Sequence, residues 1–517
     1  MTISGLGTPG IIVFVVLFVI FAFLGFFGRR FRKGDETILS EWSLAGRKLG
    51  VFLTWFLIGA DLYTAYTFVA VPSGLFAKGA LYFFAVPYVS ITFAIALVTM
   101  PKLWVVSKKK GYITASDFVQ DVFSSKTLAL LIALTGIVAE LPYVALQIIG
   151  MKAVLTVMFP IGANISTIVT IALVISFIVL VAFTFMSGLR GVTLTAVFKD
   201  AIIFTSVIVI IIAVPLAYGG FQHAFSVKAA YSTLNQSALG VGYTTLWIGS
   251  AMALYLYPHA VNGSLSSKNE SNLRMSTALL PIYGIGLALL ALFGVLIYAV
   301  GPAMTYLSHF PASSQGIYVV PALVLYTMPS WFAGFALLGI FIGGLVPAAI
   351  MAMASANLFA RNVANPFMEK FRTKISPSGQ TIVAKIATVV FIFIALGFTF
   401  LVPETYSIQL QLLGGIIILQ ILPSLFLGLY FPKLNKHSLI VGWAAGLIAG
   451  IYLEEVANNY GALSTSFYGF GTHNLLYIGL FAVAINILIA VVGSIIARAA
   501  GIKNSPETGV SKEASKT

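Results

Sequence analysis

The sequence is short of charge. Of its 517 residues only 9% are Asp, Glu, Lys or Arg, against 59% hydrophobic. A soluble globular chain carries about 25% charged residues. So few charges cannot cover a water-exposed surface, which leaves an all-α integral membrane protein whose length is used in crossing a bilayer. Cysteine is absent altogether. That excludes disulfides, thiolate nucleophiles and thiolate metal sites, and it leaves the redox compartment unreadable. Also missing are a phosphate-binding Walker loop, a metal-ligand cluster and a paired catalytic Ser and His. Neither an enzyme nor a bound cofactor or metal is expected. No cleavable leader stands out: the apolar run 11–27 is followed directly by Arg29, Arg30, Arg32 and Lys33, and reads as a retained span.

What is present is a series of long apolar runs. A span needs about 20 apolar residues. Thirteen stretches qualify, near 10–28, 51–74, 80–100, 127–158, 165–187, 193–216, 241–264, 277–303, 332–360, 381–402, 406–431, 438–456 and 475–499. The net charge of +14 raises nucleic acid as a partner, but the distribution argues against it. With the Arg29–Lys48 loop placed inside and the loops alternating, all but Lys78, Lys152 and Lys228 of the 29 Lys and Arg fall on the cytoplasmic side or at its span ends. This is the positive-inside bias. It puts the N-terminus outside and the C-terminus inside, and it assigns the basic surplus to topology and to contact with anionic membrane lipids. Residues 1–500 read as one transmembrane domain. Residues 501–517 read as a disordered cytoplasmic tail. Asn235 begins a glycosylation triplet on the outer side.

Within this apolar background a few polar residues stand out. Only Asp61, Glu140 and Asp200 of the 15 acids lie well inside spans, and Lys199 precedes the last. A charge at the centre of a membrane helix costs roughly 2.5–3.5 kcal/mol on insertion scales. Such residues face a bundle interior, a water-filled cavity or a partner. A structural ion pair is the competing explanation for Lys199 and Asp200, since both lie toward the cytoplasmic half of their span. Glu140, Tyr143 and Gln147 recur at helical spacing and form one polar stripe on the fourth span. His259 is the sole histidine within a span, beside Pro258 and Asn262. A lone His is as readily a satisfied core residue as a ligand site.

Two spans carry helix breakers. The second contains Gly59 and the run Pro72–Gly74; the seventh contains Pro258. Broken backbone at membrane depth is tolerated where it lines a cavity or is buried in protein. Interrupted helices five spans apart are the trace expected of inverted five-helix repeats, here 51–216 and 241–431, with a site between them. The helix at 10–28 and the two at 438–499 would flank that core.

Several stretches then resemble one known family. They are GRKLGVFLTWFLIGADLYTAYTFVAVPSGLFAKGA, ELPYVALQIIGM, GLRGVTLTAVFKDAI, ALYLYPHAVNGSLSS, GLVPAAIMAMASANLFARN and LQLLGGIIILQILPSLFLGLYF. Together they resemble the solute:sodium symporters, and within them the monocarboxylate permease branch. The resemblance implies a LeuT-like core and alternating access, with solute bound at the middle of the membrane against the broken second span. It implies that Ala60 and Tyr63 supply backbone carbonyls to an ion site. Leu62, Thr64, Tyr66 and Thr67 would lie near the substrate, with Tyr143 and Gln147 on the pocket stripe and His259 near a gating aromatic position.

The departures from the family pattern carry as much information. Sodium-coupled members place a small-residue carbonyl and two hydroxyls on the ninth span. Here Ala349 takes the carbonyl position, and Ala352 and Met353 stand where the hydroxyls belong. A hard cation needs oxygen ligands. A helper carboxylate on the sixth span is replaced by Ala196, and Lys199 follows one turn later. A register shift that lets Ser355 supply the oxygen is the alternative.

The expected function is a secondary active transporter that imports a short monocarboxylate or amino acid, coupled to protons rather than sodium. Burial favours the uncharged form of acids and amines alike, so Lys199, or after it Asp61, is expected to exchange the proton. Lys199 could equally serve as a fixed replacement for the sodium charge. The solute carboxylate is expected to meet backbone N–H groups of a half-helix, Thr64, Tyr66, Gln147 and His259. Two rival readings stand: a sodium-coupled amino-acid or proline symporter, and a transporter-like sensor or channel. No oligomer is implied.

Overall fold

The computed structural model describes residues 5–504 except 32–33, 36, 161, 163, 228–238, 372–374, 404–405, 458–464, 469–473 and 503. Lys228, Asn235 and the tail beyond Asn504 therefore lie outside the described residues.

The long apolar runs fold as helices, because inside a bilayer a helix satisfies its own backbone polar groups. The first, α1 (Thr8–Phe27), starts at a proline in its first turn. Its outward residues Ile12, Val15, Val16, Val19 and Phe23 are exposed, as a lipid-facing stripe should be. The second run splits into α2 (Val51–Ala60) and, beyond a five-residue break and a π-helical turn at Tyr66–Ala70, α3 (Val71–Lys78). The break lies before the Pro72–Gly74 run that suggested it: Pro72 follows directly on the π-helical turn, within helical backbone. Next come α4 (Ala85–Lys110), the amphipathic α5 (Ala115–Phe123), and α6 (Lys126–Met158), which passes Pro142 without stopping.

The fifth and sixth spans form one helical segment, α7 (Ile165–Ala217), with no loop between them. Gly188 makes the turn at φ +55°, a left-handed value that only glycine adopts freely. The indole and backbone of Trp42 occupy the space a Cβ would need there. Arg190, just past the kink, is buried and pairs with Glu41. The seventh run is broken as well. It consists of α8 (Leu239–Ala253), a 3₁₀ turn at Leu254–Leu256, and α9 (Pro258–Leu265), with Pro258 opening the second half. Then follow α10 (Glu270–Leu279), α11 (Pro281–Leu296), α12 (Val319–Thr327), α13 (Ser330–Leu358), α14 (Pro377–Leu401), α15 (Ser407–Ile418), α16 (Lys436–Ala457) and α17 (Ile478–Ala499). A short antiparallel pair of strands, Ser466–Tyr468 with Leu475–Tyr477, accompanies the otherwise helical fold.

At the centre stands α13, buried along nearly its whole length and packed against α1, α6, α7 and α14. Its small residues allow backbone approach: Gly334 meets Gly10, and Gly344 lies against the Gln147 carbonyl. Lipid offers no hydrophobic drive to bring helices together, so close packing of small residues supplies much of the attraction. The two broken helices, α2/α3 and α8/α9, converge beside α6 and α7.

Candidate substrate and coupling site

The break in α2 leaves backbone carbonyls that the helix ladder no longer uses. The N–H groups of Leu62 and Tyr63 turn back to Gly59. The carbonyls of Ala60 and Tyr63 instead face the side chain of Lys199 on α7. Its Nζ donates to Ala60 at 3.0 Å and to Tyr63 at 2.8 Å. It lies 2.9 Å from Oδ1 of Asp200, and both charged side chains are fully buried. Three oxygens thus surround the ammonium: the two carbonyls accept hydrogen bonds from it, and the carboxylate is its ion-pair partner. Asp200 is held from the other side by the Tyr283 hydroxyl of α11, which donates to Oδ2 at 2.6 Å. The Tyr283 ring fills the space beside Gly59, and it stacks edge-on with Tyr63 at 4.7 Å.

Ala349, Ala352 and Met353 of α13 are buried, and no oxygen of that helix is among the partners of Lys199. Ser355, the alternative oxygen donor, lines an apolar cavity with Ile137 of α6 and Val383 and Val390 of α14. Lys199, Ala60 and Tyr63 therefore meet in one place, and Ser355 lies in another.

A second polar group forms where α9 begins. Glu140 of α6 accepts from Nδ1 of His259 at 2.7 Å and from its backbone N–H at 3.3 Å. The carboxylate thus caps the positive end of the half-helix as it clamps the imidazole. Tyr143, one turn along, packs between Tyr257 at 5.5 Å and His259 at 5.7 Å. Another turn on, Gln147 accepts from the backbone N–H of Ala65 at 2.9 Å and donates to the Tyr143 carbonyl at 3.2 Å. Thr64 accepts from the Tyr66 N–H at 3.0 Å, and Thr67 donates to the Leu62 carbonyl. The half-helix N–H groups expected to meet a carboxylate are thus engaged by the protein's own side chains at Ala65 and Tyr66. Leu62 alone of the expected substrate-side residues is only partly buried.

Between these two groups lies Asp61. It is buried, and neither of its oxygens has a hydrogen-bond partner. Its electrostatic neighbours are His259, Lys199, Glu140 and Asp200. Nε2 of His259 and the Tyr255 hydroxyl are likewise buried without partners. The Tyr63 and Tyr66 hydroxyls, Glu140 Oε2 and Asp200 Oδ1 lack a hydrogen-bond partner as well. A cluster of unpaired buried polar atoms calls for an explanation, and a transported ligand or proton is one. Tyr283 was missed by sequence reasoning. A tyrosine in an apolar span was the available signal, but nothing local shows that Tyr283 reaches a carboxylate 83 positions away.

Two broken helices meeting at buried charges inside a multi-pass helical membrane protein define a secondary transporter core. Comparison with known proteins agrees. Residues 42–450 match the profile of the sodium:solute symporter family, and the chain belongs to that family. It is 38% identical to a monocarboxylate transport permease protein of Rhizobium johnstonii, over 93% of this chain and 95% of that one. It is 33% identical to the symporter YodF of Bacillus subtilis over 84% of this chain and 86% of that one. At 23% identity it also matches the sodium/pantothenate symporter of Haemophilus influenzae, covering 90% of each chain. A sodium-coupled sialic acid symporter, solved in a substrate-bound outward-open state, superposes with a TM-score of 0.73 at 16% identity, covering 95% of this chain and 98% of that one. The fold is therefore LeuT-like, and the protein is a multi-pass membrane symporter of a small solute.

Proposed function

We propose that this symporter moves a short monocarboxylate together with a proton, and that a fixed lysine ammonium replaces the sodium ion used elsewhere in its family. The observation that carries this reading is the position of Lys199. Its ammonium sits against the Ala60 and Tyr63 carbonyls, the pair that the family resemblance assigns to the ion. A cation placed there by the protein leaves a soluble cation nothing to bind. The likeness to a monocarboxylate permease over 93% of the chain supports the solute class.

The same geometry supports Asp61 as the proton carrier. Lys199 is satisfied as a cation by three oxygens, one of them a carboxylate, so releasing its proton would leave Asp200 as an uncompensated buried charge. Asp61 has no such tie. With Lys199 balanced by Asp200 and His259 set against Glu140, Asp61 is the acid whose charge has no partner. In this mechanism Asp61 takes a proton on the outer side as the solute anion binds, and both are released inside. The loaded core (protonated Asp61 plus the anion) and the empty core (ionised Asp61) then carry the same charge. Transport of one anion with one proton is electroneutral. His259, with Nε2 free, and the Tyr255 hydroxyl are the groups that would meet the anion.

The test is uptake of labelled lactate, pyruvate and alanine into proteoliposomes. An inward proton gradient without sodium should drive accumulation, and a protonophore should abolish it. Accumulation driven by sodium alone and indifferent to the protonophore would refute the proton-coupled reading.

A further inference from the structure

A separate cleft of about 840 Å³ opens at the lysine-rich end of the bundle, away from the broken helices. It is bounded by the end of α4, by α5, by the segment after α15 and by the last turns of α17. Three cations line it: Lys110, Lys433 and Arg498. Asp121 is the acid among its lining residues, and it is already occupied, accepting from the Tyr112 hydroxyl and lying 3.7 Å from Lys110. Lys433 and Arg498 form no ion pair among the described residues. The remaining surface is partly apolar, with Val122, Leu429 and Ile502.

The walls are fixed. The Ser494 hydroxyl accepts from the Asn435 N–H at 2.8 Å. Asn504 accepts from the Lys436 N–H at 3.0 Å and donates to the Leu434 carbonyl at 2.8 Å. These bonds pin the segment after α15 to the end of α17, so the cleft is part of the packed structure.

We propose that this cleft binds an anionic phospholipid, with its phosphate between Lys433 and Arg498 and its acyl-glycerol portion against the apolar residues. Two features favour a lipid over free phosphate. Lys110 and Arg498 close helices long enough to span a bilayer, which places the cations at headgroup depth. The apolar surface offers an inorganic anion nothing, whereas it suits the carbon skeleton behind a lipid phosphate. Nothing in the transport cycle described above requires this site.

The experiment counts lipids retained by the detergent-purified full-length protein in native mass spectrometry. Phosphatidylglycerol and phosphatidylcholine are added in separate titrations, and inorganic phosphate is added as a competitor. Wild type should retain one tightly held phosphatidylglycerol and no equivalent phosphatidylcholine. Lys433→Ala with Arg498→Ala should weaken that retention by about thirtyfold, about fivefold for each membrane-surface cation removed. The charge-preserving pair Lys433→Arg and Arg498→Lys should retain it, which separates lost charge from misfolding. Equal retention by wild type and the double alanine variant would overturn the proposal. Displacement by millimolar phosphate with no preference for phosphatidylglycerol would assign the cleft to free anions and overturn it as well.

Discussion

Glu140 and Gln147 lie two turns apart on one face of α6, and each caps a different broken helix. Glu140 accepts from the His259 N–H at the start of α9, and Gln147 accepts from the Ala65 N–H before α3. One continuous helix therefore registers both interruptions. Removing Gln147 with alanine should cost about 1 kcal/mol, the usual value of a lost helix cap, and should raise the KM for solute because the α3 half-helix loses its anchor. Glu140→Gln keeps an acceptor at the same place but removes the charge facing His259. It should fold and yet lose solute affinity, read as KM in proteoliposome uptake alongside thermal unfolding in detergent.

Lys199→Ala should expose the seat that the ammonium fills. The Ala60 and Tyr63 carbonyls and the Asp200 carboxylate would remain as three oxygen ligands, a partial cation site. Stranding one member of a buried pair costs about 3–5 kcal/mol, so the variant should unfold at a lower temperature. Sodium, compared with choline at equal ionic strength, should restore part of that loss. A variant with the same stability in both salts would show that the seat does not accept a cation.

Tyr283→Phe tests the support behind Lys199. The ring and its packing against Gly59 and Tyr63 stay, and only the hydrogen bond to Asp200 is lost. Hydrogen bonds to charged groups contribute about 1.5–3 kcal/mol. The expected outcome is a loss of stability in that range, measured by chemical or thermal unfolding.

Outside the membrane spans, Glu41 gives a pH signature. Partial burial pushes its carboxyl upward, but hydrogen bonds from Lys48 and Arg190 outweigh this and hold it below the ordinary value of 4.5. A carboxyl lowered in the folded state stabilises above its unfolded pKa, and that stability is lost as pH falls through the folded value. Glu41→Gln should therefore lower the unfolding temperature at pH 7, and the difference from wild type should shrink as pH drops below about 4.5.

Much of the fold was legible in the sequence because hydropathy sets span length and charge marks depth. All thirteen apolar stretches contain helix. The errors have local causes. The expected fifth and sixth spans meet at Gly188, whose φ of +55° breaks the helix between them without a loop. The break in the second span comes at residues 61–65, where no glycine or proline stands, and the tempting Pro72 lies within the helical backbone that follows it. Helices α5 and α12 and the strand at Ser466–Tyr468 are too short or too amphipathic to register as spans.

The site was legible only in part. Asp61, Glu140, Lys199 and Asp200 announce themselves as charges in apolar helices. Their pairing does not, because Lys199 meets carbonyls 139 and 136 positions earlier and His259 meets Glu140 across 119. Sequence ranked Lys199 ahead of Asp61 as the proton carrier. We propose the reverse order, since Lys199 lies against three oxygens and Asp61 has no hydrogen-bond partner.

The central claim is that a proton on Asp61 travels with the solute while Lys199 stands in for sodium. Its most direct test is the internal pH of proteoliposomes in sodium-free buffer when an outside solute gradient is applied. Wild type should acidify the interior at the rate at which labelled solute enters, and an imposed membrane potential should leave that rate unchanged. Asp61→Asn should abolish acidification while retaining exchange of labelled for unlabelled solute. Solute entry without acidification, or acidification that survives in Asp61→Asn, would contradict the account.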